Sequence, residues 1–305
     1  MNIWECDVLR RLWEAPYVNQ RMLAEACGFS LGMANRCLRS LKEDGYLDGN
    51  FRPTEKADQI ISAGKPKNAV ILAAGFGMRM VPINREGPKA FLEVRGEPLI
   101  ERLIRQLHEA GIREIYVVVG YLKEQFEPLV RDYPGVKLIE NPCYAECNNI
   151  SSLYAAREYL EDVMILDGDQ IIRRPEVLFR EFGRSGYQAV WTDAPTAEWL
   201  LTVEGERIVS CSRSGGAGGW QLFSVSRWNK EDGRRLKGHL ETEFEQKRNR
   251  QIYWDDIALF RYPEEYRLGI FEMKPGDVLE VDSLAELAAL DSGYEKYLPV
   301  RREGF

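Results

Sequence analysis

The chain is poor in the residues that build metal cages. Only two histidines, His108 and His239, occur in 305 residues, and the six cysteines are scattered with no Cys-x-x-Cys pair. This argues against a zinc site of clustered Cys and His ligands, and the cysteines read as free, mostly buried thiols. Long apolar runs are missing too. The longest, Ala69–Ala74 with its glycine neighbours, falls far short of the roughly 20 residues that a membrane span needs. The opening Met1-Asn2-Ile3-Trp4-Glu5-Cys6-Asp7 lacks the basic and apolar regions of a signal peptide, so a cytoplasmic protein with no membrane partner is expected. Basic excess is also absent: the net charge is −7, which argues against nucleic acid as the main partner. What is present is globular. With 45% hydrophobic and 29% charged residues the chain is neither disordered nor of low complexity, and its length suits two domains.

The first 67 residues read as a small helical domain. Trp4, Val8, Leu9, Leu12 and Trp13 recur at helical spacing. Asn19 is placed to cap a second helix with Met22, Leu23 and Ala26 on one face, ending near Gly28, and Ser30 to cap a third with Met33, Ala34, Cys37, Leu38 and Leu41 inward. Residues 45–54 read as a short hairpin, and Thr54 caps a last helix through Ile61. This order resembles a winged helix-turn-helix, and Leu23-Ala24-x-x-x-Gly28-x-Ser30 resembles the turn of bacterial regulators. Arg36, Arg39 and Lys42 would face DNA in that reading, but the domain holds 10 Lys and Arg against 9 Asp and Glu, little for counterion release. A regulatory or dimerising role, giving a homodimer through this domain, is therefore preferred. Ser62–Lys67 is small and polar and reads as a linker, separating a domain of 1–67 from one of 68–305.

From Asn68 the pattern alternates strands with helices. Asn68–Leu72, Glu114–Val119, Val136–Glu140 and Val163–Leu166 read as strands; Pro98–Ala110, Lys123–Arg131 and Ser151–Leu160 read as helices. Such a rhythm predicts an α/β fold, a Rossmann-like doubly wound sheet with ligands at the carboxyl ends of its strands. Residues 188–272 are poorer in helix and read as a mixed-sheet lobe completing the site.

The most informative stretch is Leu72-Ala73-Ala74-Gly75-Phe76-Gly77-Met78-Arg79-Met80, with Pro88-Lys89 beyond it. Directly after a strand, Gly75 and Gly77 let backbone N–H groups approach a polyphosphate. It is not a P-loop, since no Gly-Lys-Ser/Thr follows, nor a dinucleotide fingerprint, since Met80 takes the third glycine position. Asp167-Gly168-Asp169 ends a buried strand, and Glu280-Val281-Asp282-Ser283 precedes an apolar helix. Carboxylates there suit Mg²⁺, which takes one or two of them plus phosphate oxygens and water. Asp282-Ser283 also reads as a helix cap, and the local sequence leaves cap and metal ligand equally open.

The turn resembles the L-A-A-G-x-G-x-R…P-K motif of the sugar-phosphate and alcohol-phosphate nucleotidyltransferases. That resemblance implies that Arg79 and Lys89 act on the triphosphate, that Leu72, Ala73, Ala74, Gly75, Phe76 and Gly77 bind the nucleotide, and that Asp169 and Asp282 hold Mg²⁺. Tyr144-Ala145-Glu146-Cys147-Asn148-Asn149-Ile150-Ser151-Ser152-Leu153-Tyr154, with Gly120–Phe126, Glu198-Trp199 and Tyr253-Trp254-Asp255, is similar to the bacterial CTP:phosphocholine cytidylyltransferases over about residues 68–295. Gly168 departs from that pattern, where alanine is expected. The resemblance adds Asn149 and Ser151 to the nucleotide set and implies CTP and phosphocholine as substrates, with a choline kinase, linked or separate, as a functional partner.

The aromatic residues point the same way. A trimethylammonium group has no N–H, so ring faces must select it, at roughly 0.5–2 kcal/mol each, helped by carboxylates. Trp199 beside Glu198, and Tyr253 and Trp254 beside Asp255, offer both chemistries. The expected reaction is transfer of CMP from CTP to phosphocholine, giving CDP-choline and pyrophosphate. The same chemistry on 2-aminoethylphosphonate or phosphoethanolamine is the nearest alternative, and a winged-helix regulator that only senses a nucleotide is the alternative of another class.

Overall fold

The structure, a computed structural model, describes residues 1–63, 65–81, 83–85, 87–179, 184–205 and 207–298. Gly64 of the expected linker and residues 299–305 of the expected second domain lie outside the described residues. The chain divides into two compact units, Met1–Lys65 with Phe179–Arg184, and Pro66–Leu178 with Ser185–Phe305.

The first unit holds helices Ile3–Glu14, Gln20–Cys27, Leu31–Glu43 and Glu55–Ala63. Their starts are written in the side chains. Asn19 accepts the Met22 N–H at 2.9 Å and Ser30 the Met33 N–H at 3.3 Å, each satisfying a donor that the first turn leaves open. Val8, Leu9, Leu12, Leu23, Leu38 and Leu41 close a core between them. One expectation fails here and another holds in reduced form. Met22 is 52% exposed and Ala26 also faces solvent, because Leu23 and Ala24 take the inward positions of their helix. The hairpin shrinks to one bridge between Leu47 and Pro53. Asp48 takes the N–H groups of Asn50 and Arg52, both at 2.8 Å, and Pro53 has no N–H to add to a ladder.

In the second unit, a nine-stranded sheet runs in the order Arg207–Ser212, Leu200–Glu204, Gly219–Trp228, Val163–Asp167, Asn68–Leu72, Glu114–Val119, Val136–Glu140; Gly186–Thr192 pairs with Gly219–Trp228, and Gly269–Glu272 with Gly186–Thr192. Asn68–Leu72 lies parallel between Val163–Asp167 and Glu114–Val119, with Leu72 opposite Asp167 and Val118. Its side chains alternate between two cores. Val70 and Leu72 face a cluster with Leu153, Leu236 and Trp228, while Ala69 and Ile71 face Leu103, Leu107 and Val117. Buried on both faces, such a strand has to be apolar throughout. The expected second lobe is a mixed extension of this same sheet, joined antiparallel where Gly219–Trp228 pairs with Val163–Asp167, with Gly269–Glu272 parallel to Gly186–Thr192.

The helix expected over 123–131 is a 3₁₀ turn, Lys123–Phe126, followed by Glu127–Asp132. Pro128 accounts for the break, since a helix continuing through it would lose the bond to Glu124. Likewise Ile150–Ala155 ends early, and Arg157–Tyr159 is a 3₁₀ turn. Among the described residues no helix is long and apolar enough to cross a membrane.

Candidate active site

A cleft of about 570 Å³ opens at the carboxyl ends of Asn68–Leu72 and Val163–Asp167. Adjacent parallel strands end together there, so their outgoing loops share one floor: Gly168 N–H donates to Leu72 O at 2.9 Å, and Ala73 N–H to Val118 O at 2.9 Å. Leu72, Ala73, Ala74, Gly75 and Gly77 line the cleft. Gly77 adopts φ 61°, and a Cβ on it would lie 3.1 Å from the Cβ of Lys89. The glycine turn thus lets the lysine side chain come in close.

Four charges converge on this floor. Lys89, at the start of a 3₁₀ turn behind Pro88, has its Nζ against both Asp169 and Asp282, the latter at 3.1 Å. Arg79 Nη2 reaches the same Asp282 oxygen at 2.8 Å while staying largely in solvent. Asp282 arrives through a two-stranded ribbon, Gln170–Ile172 with Val278–Glu280, in which Glu280 faces Gln170 and Val281 N–H donates to Asp169 O. Capping of the following helix falls to Ser283 and Glu286, which leaves the Asp282 carboxylate to the site. Burial depresses the Lys89 pKa, but Asp169 and Asp282 outweigh it and hold the ammonium charged beyond the ordinary lysine range.

Asp169 and Asp282 therefore share one cation position. Two carboxylates on one point form a hard oxygen donor set that fits Mg²⁺, with phosphate oxygens and water completing its shell. Among the described residues no group of three or more His, Cys, Asp or Glu is arranged to hold a metal unaided.

Glu198, Trp199, Tyr253 and Asp255 line the same cleft. The Trp199 and Tyr253 rings meet edge to face, 5.6 Å apart at 87°. Asp255 is 6% exposed, and its Oδ1 has no hydrogen-bond partner; burial above all pushes its pKa up to about 7. Asn149 and Ser151 also line the cleft but are already engaged. Asn149 Oδ1 accepts the Trp254 N–H at 3.0 Å, while Ser151 Oγ accepts from Asn141 and donates to Asn148 O.

Two expected site residues are placed elsewhere. Trp254 is 1% exposed, packs against Tyr187 and Trp228, and belongs to the core. Its neighbours Tyr253 and Asp255 reach the cleft, and the ring between them points the other way. Phe76 does not line the cleft; its ring packs on Tyr121 and Tyr144 at 5.2 Å each.

Sequence reasoning passed over two acids. Glu280 accepts from Gln170 Nε2 at 3.0 Å and from Ser224 N–H at 3.3 Å, and burial, then Asp169, pushes its pKa up to about 7. Burial, then Asp169 and Glu280, holds Asp167 well above the usual carboxylate range. Both line the cleft. The signal was available: Asp167 and Glu280 are each the last residue of a strand, two positions before Asp169 and Asp282.

Residues 69–226 match the family of MobA-like NTP transferase domains, and residues 5–48 the winged helix-turn-helix DNA-binding family. The chain is 36% identical over 235 residues to the 2-aminoethylphosphonate cytidylyltransferase of Lancefieldella rimae, covering 76% of this chain and 95% of that protein. It is 33% identical to the choline-phosphate cytidylyltransferase of Streptococcus pneumoniae, covering 73% and 96%. The solved structure of the CTP:phosphocholine cytidylyltransferase from Streptococcus pneumoniae superposes with a TM-score of 0.69 at 32% identity, over 74% of this chain and 97% of that one.

Proposed function

Because the chain belongs to the MobA-like NTP transferases, and within them to the cytidylyltransferases, we propose that its cleft transfers CMP from CTP to phosphocholine, releasing pyrophosphate and forming CDP-choline in the cytoplasm. The observation that carries the acceptor is the right-angled corner of Trp199 and Tyr253, set in one cleft with Glu198, Asp255 and Glu280. Two rings and several carboxylates suit a cation that cannot donate a hydrogen bond.

An acceptor phosphate oxygen bonds to the α-phosphorus of CTP in line, and the bond from that phosphorus to the β-phosphate oxygen breaks. With a second phosphate pKa near 6 the nucleophile is already ionised at neutral pH, so no general base is needed. Positioning two anions against each other is the obstacle. Lys89 and Arg79 bind the triphosphate and draw off its charge, and the backbone N–H groups around Gly75 and Gly77 cradle it. Asp169 and Asp282 would hold Mg²⁺, which supplies further positive charge to the phosphates when bound. Asn149 and Ser151 shape the nucleotide wall from within, through the bonds to Trp254 and Asn141.

A second acceptor, 2-aminoethylphosphonate, is favoured by one specific observation. Asp255 is buried with only the Tyr187 hydroxyl close to it as a side-chain donor, and a primary ammonium can supply the N–H that a trimethylammonium lacks. The test is pyrophosphate release from CTP and Mg²⁺ with phosphocholine, phosphoethanolamine, 2-aminoethylphosphonate and glucose 1-phosphate, the products identified by ³¹P NMR. Highest kcat/KM with phosphocholine supports the first reading. Preference for 2-aminoethylphosphonate replaces it with the second, and turnover of glucose 1-phosphate alone removes both. For the winged-helix unit we favour regulation or dimerisation over DNA reading, given its 10 basic against 9 acidic residues up to Lys67.

A further inference from the structure

We propose that Arg213 is a positioning residue for acceptor choice: from behind the wall of the cleft it fixes the Trp199–Tyr253 corner without itself lining the site. The inference rests on the acceptor reading above. Arg213 sits on the loop between Arg207–Ser212 and Gly219–Trp228, and it is absent from the residues that line the cleft. Its guanidinium lies 4.0 Å from the Phe260 ring centroid and 5.5 Å from that of Trp199. Phe260 in turn meets Trp199 edge to face at 5.7 Å. One planar cation therefore contacts the rings behind one half of the corner.

The other half is reached through Asp256. Arg213 Nη2 pairs with Asp256 Oδ1, and Asp256 Oδ2 accepts the backbone N–H of Tyr253 at 3.1 Å. Asp256 is 2% exposed. Without Arg213 its carboxylate would be a buried charge that has lost its ion-pair partner, an arrangement that drives local rearrangement. Tyr253 would then lose the anchor that sets its ring.

The same loop holds the start of the Trp199 segment. Thr196 and Gly216 exchange backbone hydrogen bonds at 2.8 and 3.0 Å, and Thr196 Oγ1 accepts the Glu198 N–H at 3.1 Å. Gly215 adopts φ 70°, and a Cβ there would fall 1.9 Å from Thr196 O. Only glycine lets the loop close onto residue 196 in this way. Arg213 is thus delivered to the rings by a loop that also grips the Glu198-Trp199 segment. A lysine could keep the ion pair, but it lacks the flat guanidinium that stacks on rings.

The experiment uses the full chain and four variants: Arg213→Lys, Arg213→Met, Gly215→Ala, and the double Arg213→Met/Asp256→Asn. The double variant removes both charges, so it tests the proposal even where Arg213→Met alone unfolds the segment. Tryptophan fluorescence is titrated with phosphocholine and with 2-aminoethylphosphonate in the presence of a non-hydrolysable CTP analogue, and steady-state constants are measured for whichever acceptor the wild type uses. The acceptor KM and Kd should rise about five- to thirtyfold in the double variant and less in Arg213→Lys, on the scale of one or two lost ring contacts. CTP KM and kcat at saturating acceptor should stay near wild type, a split that general loss of structure does not produce. Wild-type acceptor affinity in the folded double and Arg213→Lys variants overturns the proposal, as does an equal rise in CTP KM. A wild type that neither binds nor turns over either acceptor overturns the acceptor reading, and this inference with it.

Discussion

The two parts of the cleft hold charge in opposite ways. On the glycine-turn floor every carboxylate faces a cation: Asp169 meets Lys89, and Asp282 meets Lys89 and Arg79. On the wall formed by Asp167, Asp255 and Glu280, the carboxyls are buried among neutral or acidic neighbours, and their proton affinity is raised. The floor is balanced before any substrate arrives, so it can take a polyanion and a metal together. These three carboxyls have no cation paired with them, and a cationic ligand would complete them. That difference is the physical case for an ammonium-bearing acceptor.

Removing carboxylates from the floor gives the largest expected effect. Asp169→Ala and Asp282→Ala should each lower turnover by at least about 10²-fold, the scale of losing a group that stabilises the charge of the transition state. Circular dichroism should remain unchanged, and chelation of Mg²⁺ should produce the same loss in the wild type. Near-normal turnover of Asp282→Ala would take that residue out of the metal site and leave the contrast resting on Lys89.

Trp254→Ala separates wall from core. Emptying a 1% exposed tryptophan site should cost about 3–5 kcal/mol of stability, read as a shift of the urea midpoint. An unchanged midpoint with a raised acceptor KM would return this ring to the wall.

Trp199→Ala should act on binding. A loss of roughly 0.5–2 kcal/mol per ring corresponds to about a two- to thirtyfold rise in the phosphocholine KM. 2-Aminoethylphosphonate should lose less, because its ammonium can still bond to Glu198 or Asp255. Equal losses for both acceptors would mean that the ring shapes the wall without selecting the cation.

The smallest effect is a pH dependence. Asp255 and Glu280 carry pKa values of about 7, so raising pH from 6 to 8 ionises them and should lower the acceptor KM by up to about tenfold. Glu280→Gln should flatten the curve, and its difference from wild type cancels the titration of the acceptor's own phosphate. Stability runs the other way. A folded pKa raised above the unfolded value means that the folded state holds the proton more tightly, so the contribution is full below about pH 4.5 and is lost as pH rises through 7. The wild-type melting temperature should therefore fall relative to Glu280→Gln between pH 4.5 and 7.5. Parallel melting curves would place Glu280 in contact with solvent and weaken the contrast between floor and wall.

The floor was legible because its residues lie in short, local patterns. A strand that must be apolar, a turn that needs glycine, and acids just past strand ends each follow from backbone geometry over a few residues. The wall was less legible. Nothing local distinguishes Tyr253 from Trp254; which ring turns inward depends on Tyr187 and Trp228, which lie on strands distant in the chain. The same holds for Asp282, where the sequence allowed both a cap and a metal ligand. The neighbouring Ser283 takes the cap, and the ribbon pairing of Gln170 with Glu280 brings the aspartate to Lys89.

The sequence by itself determined the apolar strands Asn68–Leu72 and Glu114–Val119 and the glycine turn, since hydrophobic periodicity and turn chemistry are properties of neighbouring residues, while the resemblance of that turn to a known motif singled out Arg79, Lys89, Asp169 and Asp282. Only the tertiary structure decided that Asp255 and Glu280 share a cleft, that Trp254 is core, and that Arg213 stands behind Trp199. Those facts depend on segments that the fold brings together: Trp254 against Tyr187 and Trp228, the ribbon of Gln170–Ile172 with Val278–Glu280, and the loop of Arg213 against Phe260 and Asp256. Burial, and with it proton affinity, is set by that closure and not by the identity of the residues next in the chain.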